Sequence, residues 1–373
     1  MGISERKIPA HFENMVFYDN KIWFTEIRIN ELYYYDLQTN ETKIFCKIDS
    51  EDCYDERLFG GIVHYNGYLY LIPARAKKIY KIRISDKEMS EISIKIPDSC
   101  LNDINDNDLK FSSVHLYNGK IYIFGIGYPA IIEMDCEKDE LVYYSEWVYM
   151  LKGFALEDGK ALFRKTLLEK QKVYAPFARG NAVLIFDLET KEIQIKNVGS
   201  EKCVYSSICY DGKEFWLAPR HDGPVVRWNS ESGSWQEFED FPTECVHKTA
   251  SFGDIVCYNA NILLLPLNAN MIVNINPQNG RMQKYEGLGR VCKCESEKVQ
   301  YFYSIQTHML YIIENDIINK REIFLPKETV EKHAKIFSHT NSYLAKGVAC
   351  NGVVLQEDYE EALFDFLKFL RNS

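Results

Sequence analysis

The sequence has no apolar run approaching the ~20 residues that cross a bilayer, so no membrane-spanning helix is expected. Its opening stretch, MGISERKIPAHFEN, lacks the apolar centre of a secretory leader. Arg6 stands where N-myristoylation after Gly2 needs Ser or Thr. There is no phosphate loop, no dinucleotide fingerprint and no zinc motif. The cysteines number 11 and are scattered; the closest two, Cys292 and Cys294, do not make a metal knuckle. Thiols in such number are expected to be reduced, which points to a cytoplasmic protein. Positive charge is in deficit, 44 Lys and Arg against 54 Asp and Glu, for a net charge of −10. That balance argues against nucleic acid or anionic membrane as a general partner.

Aromatics are abundant, with 25 Tyr and 21 Phe among the 373 residues. Such residues favour half-buried pleated surfaces. They also recur in a pattern. YDNKIWFTEIRINELYYYDLQTNETKIF begins at Tyr18 and YNGYLYLIPARAKKIYKIRISDKEMSEISI at Tyr65. Further copies begin at Tyr117 and Tyr258, and one at Tyr210 aligns with one extra residue. A degenerate copy is assembled from LEDGKALFRKT and NAVLIFDLETKEIQI, with an insertion over 166–180 between them. The last, weak copy runs from Tyr301 to Leu325.

The units are spaced by roughly 40 to 53 residues, a period that signals a repeat architecture. Each reads as four short strands. After Tyr65, Tyr117 and Tyr210 the first turn is Asn-Gly or Asp-Gly, which the type I′ hairpin prefers because both central residues need positive φ. The last is a cluster of Asp, Asn, Ser and Gly. A four-stranded unit of this period is a β-propeller blade. The expectation is therefore an all-β, seven-bladed β-propeller over residues 10–326. Six blades is the alternative if the weak last unit is only an extension. Residues 327–373 are expected to be a helical C-terminal extension, from the spacing in KETVEKHAKIF and in EDYEEALFDFLKFLRN, where Leu363, Phe366, Leu367 and Leu370 form a stripe.

Neither the Gly-His nor the Trp-Asp of WD40 blades recurs. Gly60-Gly61 is the one kelch-like echo. KIWFTE and ELYYYDLQTNETKIF, within Lys21–Phe45, resemble the repeat of virginiamycin B lyase-like propellers. The resemblance implies a propeller. It also implies a channel-mouth site in which a His and a Glu act with Mg²⁺, and the sequence alone assigns that pair to no residues.

In propellers the loops joining second to third strands crowd one face. Here these loops carry Glu26 and Arg28; Arg75, Lys77 and Lys78; Tyr128; Arg220, His221 and Asp222; and Asn268 and Asn270. The apparent insertion adds Lys165, Tyr174 and Arg179. Arg forks match carboxylate and phosphate, so a mouth lined by Arg28, Arg75, Lys77, Tyr128, Arg179, Arg220, His221 and Asn268 fits an anionic or carbohydrate-type ligand. Solvated loop charge and ion pairing between blades is the competing reading. His221 with Asp222 is the best acid–base candidate. His64 and His115 read as strand histidines. Asp103, Asp106 and Asp108 have a spacing that could hold Ca²⁺, yet lack the Gly and Glu of an EF-hand loop. No metal site is assigned, and Mg²⁺ or Ca²⁺ is left as an open cofactor. The expected function is a binding or scaffold propeller engaging a protein partner or such a ligand. The alternative is a metal-assisted lyase or hydrolase at the channel mouth.

Overall fold

The structure, a computed structural model, describes residues 8–52, 56–97, 109–258, 261–285, 291–296, 299–305, 307–314 and 317–339. Seven four-stranded antiparallel sheets span 15–47, 59–93, 111–144, 167–197, 205–238, 252–285 and 291–322. In every sheet the strands pair in chain order. This is a seven-bladed β-propeller. The blades group into two compact units, one of Met1–Glu91 with Gly289–Ser373 and one of Ile92–Leu288. Blades 1, 2 and 7 belong to the first, with the last strand of blade 2, Met89–Ser93, running across its boundary; blades 3 to 6 belong to the second.

Burial within a blade falls from the second strand to the fourth. Tyr68–Pro73 and Phe215–Pro219 are buried on both faces, whereas Trp235–Phe238 and Ile317–Glu322 are largely exposed. A strand covered on both sides needs a near-continuous apolar run, and YLYLIP and FWLAP supply one. The expected turns are present. Asn66 and Gly67 take φ of 47° and 78°, Asn118 and Gly119 48° and 72°. The Asp that closes the third strand has a uniform task. Oδ1 of Asp36, Asp135 and Asp187 accepts the backbone N–H groups two and three residues on. Those bonds hold all three carboxyls below the usual range.

The structure corrects the sequence reading at two blades. The six-blade alternative fails, because the weak last unit is a full sheet: Val291–Glu295 supplies the first strand and Tyr301 lies in the second, Gln300–Ser304. The segment 166–180, read as an insertion, is the first hairpin of blade 4, Leu167–Glu169 paired with Lys172–Pro176. Its turn is made by Lys170 at φ 56° in place of an Asn-Gly. The Asp158-Gly159 dipeptide that mimics a hairpin turn lies in the real insertion, 145–166, which carries the short helix Trp147–Lys152. The extra residue after Tyr210 falls in the first hairpin connection, where Asp211 Oδ1 accepts from the N–H groups of Lys213 and Glu214.

In the first unit the segment before blade 1 is fastened to blade 7. Ala10 N–H donates to Ile323 O at 3.0 Å and Leu325 N–H to Ile8 O at 2.7 Å. Phe12 is stacked between Phe24 and Tyr303, at 4.0 and 3.8 Å between ring centres. The helix Lys327–His339 follows. Its Thr329 hydroxyl meets the Tyr33 hydroxyl at 3.1 Å, and Lys332 Nζ and His333 Nε2 donate to Oε1 of the fully buried Glu31 at 3.0 and 2.8 Å. The Tyr33 hydroxyl donates to the other oxygen of Glu31. The second expected helical run, 357–372, and the carboxylates Asp103, Asp106 and Asp108 lie outside the described residues.

Candidate functional site

The candidate arginines have different local roles. Arg28 is neutralised where it stands. Its Nε donates to Glu26 Oε1 at 2.6 Å and its NH2 to Pro9 O at 2.9 Å, with the Glu26 side chain fully buried. Arg75 N–H is tied to the Arg57 and Leu58 carbonyls. Lys77 is exposed, and its backbone N–H is held by the buried Glu51. These residues belong to the first unit.

In the second unit the second strands of blades 4, 5 and 6 end at Pro176, Pro219 and Pro266. The loops that follow are fastened to the neighbouring blade connections. Leu156 N–H donates to Arg179 O at 2.8 Å and Ser251 N–H to Arg220 O at 2.8 Å. Gly180 lies against the 154–157 segment so closely that a Cβ there would collide with the Phe154 carbonyl. This packing delivers Glu157 to His221. His221 Nε2 donates to Glu157 Oε2 at 3.1 Å, while His221 Nδ1 accepts the Ala250 N–H at 3.1 Å. The backbone donor fixes the tautomer, with the proton on Nε2. Both ring nitrogens are therefore engaged, and the imidazole would have to break one bond to take a substrate proton.

Around this pair stand the two other arginine-type candidates. Arg179 donates to the carbonyls of Ala161 and Glu157 at 2.9 and 3.2 Å. Arg220 NH1 donates to Ala178 O at 2.6 Å. Burial lowers the Arg220 pKa, and the nearby Glu157 charge opposes that shift. Asn268 Nδ2 donates to Thr249 O at 3.0 Å, and its Oδ1 is buried without a hydrogen-bond partner among the described residues. Asp222 is exposed, 3.6 Å from His247 Nδ1. Burial pushes the His247 pKa down, against the pull of Asp222. Leu156 and Val246, both exposed, flank the cluster along the chain.

The structure thus brings Arg179, Arg220, His221, Asp222 and Asn268 into the loops of one unit. Tyr128 is placed differently. It is 1 % exposed, packed on Phe111, and its hydroxyl donates to Lys95 O. Lys165 sits beside blade 5 through its N–H to Ser206 O, and Tyr174 is a buried ring packed at a tilt against Phe215. The strand histidines are engaged: His64 stacks on Tyr18 at 3.5 Å, and His115 Nε2 lies 2.6 Å from Thr166 Oγ1. Sequence reasoning missed Glu157, 64 positions from its partner, because LEDGK imitates a hairpin turn. Among the described residues no group of three or more His, Cys, Asp or Glu side chains is placed to hold a metal. The described cysteines are free thiols.

No protein-family model and no curated protein matches the sequence. Solved structures do. Virginiamycin B lyase from Staphylococcus aureus is similar with a TM-score of 0.59 at 14% identity, over 82% of this chain and 94% of that one. A streptogramin B lyase gives 0.57 at 15%, over 84% and 93%. BamB from Moraxella catarrhalis gives 0.51 at 13%, over 80% and 82%. The likeness is one of fold. It matches the lyase-like reading of Lys21–Phe45 as a propeller repeat and does not specifically confirm the kelch-like echo. No helix among the described residues is long and apolar enough to cross a membrane.

Proposed function

We propose that the chain is a binding propeller whose blade 4 to 6 loops take an anionic or carbohydrate-type ligand, alone or displayed on a protein partner. The observation that carries this reading is Arg220. Its guanidinium is anchored by a neutral carbonyl, and it enters no ion pair among the described residues. Anchoring by a carbonyl positions the charge and leaves it only partly offset by the nearby Glu157 carboxylate. An anion would accept from the remaining guanidinium edge. The test is a thermal-shift and calorimetric screen of sugar phosphates and acidic oligosaccharides on the natural chain and on Arg220→Ala. A charge-assisted hydrogen bond is worth about 1.5–3 kcal/mol, so Arg220→Ala should weaken a true ligand about ten- to hundredfold. Hits that bind Arg220→Ala equally well would refute this assignment.

A second reading is favoured by the His221–Glu157 pair, since the lyase-like resemblance implies a His and a Glu. Mg²⁺ does not fit well at this pair. Among the described residues Glu157 is the one carboxylate paired with His221, and its Oε2 already accepts the imidazole proton. One of the similar solved structures is a catalytically inactive His-to-Ala variant of virginiamycin B lyase with quinupristin. Incubating this chain with quinupristin and following products by mass spectrometry separates the readings. Turnover that disappears in His221→Ala would establish the enzyme and displace the binding reading.

A further inference from the structure

A second site lies away from these loops, between blades 4 and 5 of the same unit, where the first and third hairpin turns come together. It is a cleft of ≈ 640 Å³. One wall is a row across blade 4, in which Tyr174 pairs with Ile185 and Ile185 with Gln194. Tyr210 and Phe215 of blade 5 form the other wall, with rings 4.8 Å apart. Tyr174 reaches across the cleft to Phe215, 4.2 Å between centres. The rim carries Lys170, Lys172, Lys196 and Lys213 against Glu169 and Glu231.

That rim is unusual in a chain of net charge −10. Lys172 faces Asp187 across the strand pair and so has a counter-charge of its own. Lys170, Lys196 and Lys213 enter no ion pair among the described residues. They come from three separate elements: the tip of the first hairpin of blade 4, its fourth strand, and the first hairpin of blade 5. Like charges raised on separate elements around one concavity cost stability by mutual repulsion, and a bound polyanion removes that cost. The aromatic floor supplies a surface for a ring, and the volume falls within the about 300–1,000 Å³ of small-molecule sites.

We infer that this cleft binds a small phosphate ester carrying two or more negative charges and a ring, of nucleotide or sugar-phosphate kind. The phosphates sit among Lys170, Lys196 and Lys213, and the ring lies against the half-buried Tyr210, which is backed by Phe215. Lysine ammonium groups on flexible stems suit phosphate as mobile point charges, so the site selects charge and ring more than one fixed geometry.

The experiment titrates the full chain with ADP, with a hexose bisphosphate and with inorganic pyrophosphate at low salt, by calorimetry and thermal shift. The expected result is saturable binding of one of the two ring-bearing ligands, tighter than pyrophosphate and weakened by added salt. Lys196→Ala with Lys213→Ala should weaken it by at least about tenfold. Both lysines are exposed, so the variant should keep the melting temperature of the ligand-free chain. Lys160→Ala, outside the cleft, should bind as the natural chain does. The inference is overturned by no saturable binding of any of the three, or by binding the double variant retains. Pyrophosphate binding as tightly as both ring-bearing ligands would equally overturn it, since the aromatic floor would then have no part.

Discussion

Replacing Glu31 by alanine is expected to lower the unfolding free energy by about 3–5 kcal/mol, the usual cost of removing one partner from a buried charged cluster. Glu31 is fully buried and accepts from His333, Lys332 and Tyr33. Its removal leaves the 3 % exposed His333 against blade 1 with no carboxylate to receive its Nε2 proton. The same cluster predicts acid sensitivity. Burial opposes the carboxylate's charge, but the hydrogen bonds from His333, Tyr33 and Lys332 outweigh it and hold the pKa at about 2, against 4.5 for the free group. A carboxylate with a depressed folded-state pKa stabilises the fold above its unfolded value and loses that contribution as pH falls towards the folded value. The natural chain should therefore lose stability between about pH 5 and pH 2 from this group, with a full contribution of about 3 kcal/mol. Urea denaturation of natural chain and Glu31→Ala across that range checks both statements. Curves that converge at low pH are expected; parallel curves would remove Glu31 as the source.

Gly180→Ala should cost about 1–3 kcal/mol as an overpacked contact, and its larger effect should fall on the mouth. The new methyl would collide with the Phe154 carbonyl, a backbone atom that cannot swing aside like a side-chain tip. The 154–157 segment must retreat, and Glu157 retreats from His221 with it. Ligand affinity at the blade 4 to 6 loops should fall together with stability. Gly233→Ala is the control. Its φ is 75° but nothing lies within 4 Å, so it should cost about 1 kcal/mol through backbone strain and leave the mouth unchanged. Equal affinity in Gly180→Ala and the natural chain would mean that Glu157 does not depend on this packing.

The fold was legible because several blades carry their own punctuation. Asn66-Gly67 and Asn118-Gly119 announce their hairpins through backbone preference alone. Blade 4 was misread where that preference is absent: Lys170 occupies a left-handed turn position that its sequence does not advertise. The site was legible in part. His221 and Arg220 stood out as polar residues after a strand-ending proline. Their partners did not, because the Ala178 carbonyl and the Glu157 side chain reach them only through contacts between blades. Arg28 illustrates the converse. It has the chemistry of a ligand anchor and is consumed by a carboxylate two residues away, at a distance that charge counting on a loop does not resolve.

The way Phe12 lies between Phe24 and Tyr303 bears on how the chain is made. The apolar cluster under blade 1 includes residues from Ala10 to Val330. A ribosome releases the chain from its first residue, so Phe24 and Tyr33 emerge long before Tyr303, Leu310 and Leu325 exist to cover them. Blade 1 must wait, with its aromatic face open, while nearly the entire remaining polypeptide is translated. Contacts so distant along the chain form late and slowly. The interval of exposure is set by translation speed, and it is the period in which holding chaperones would find this protein.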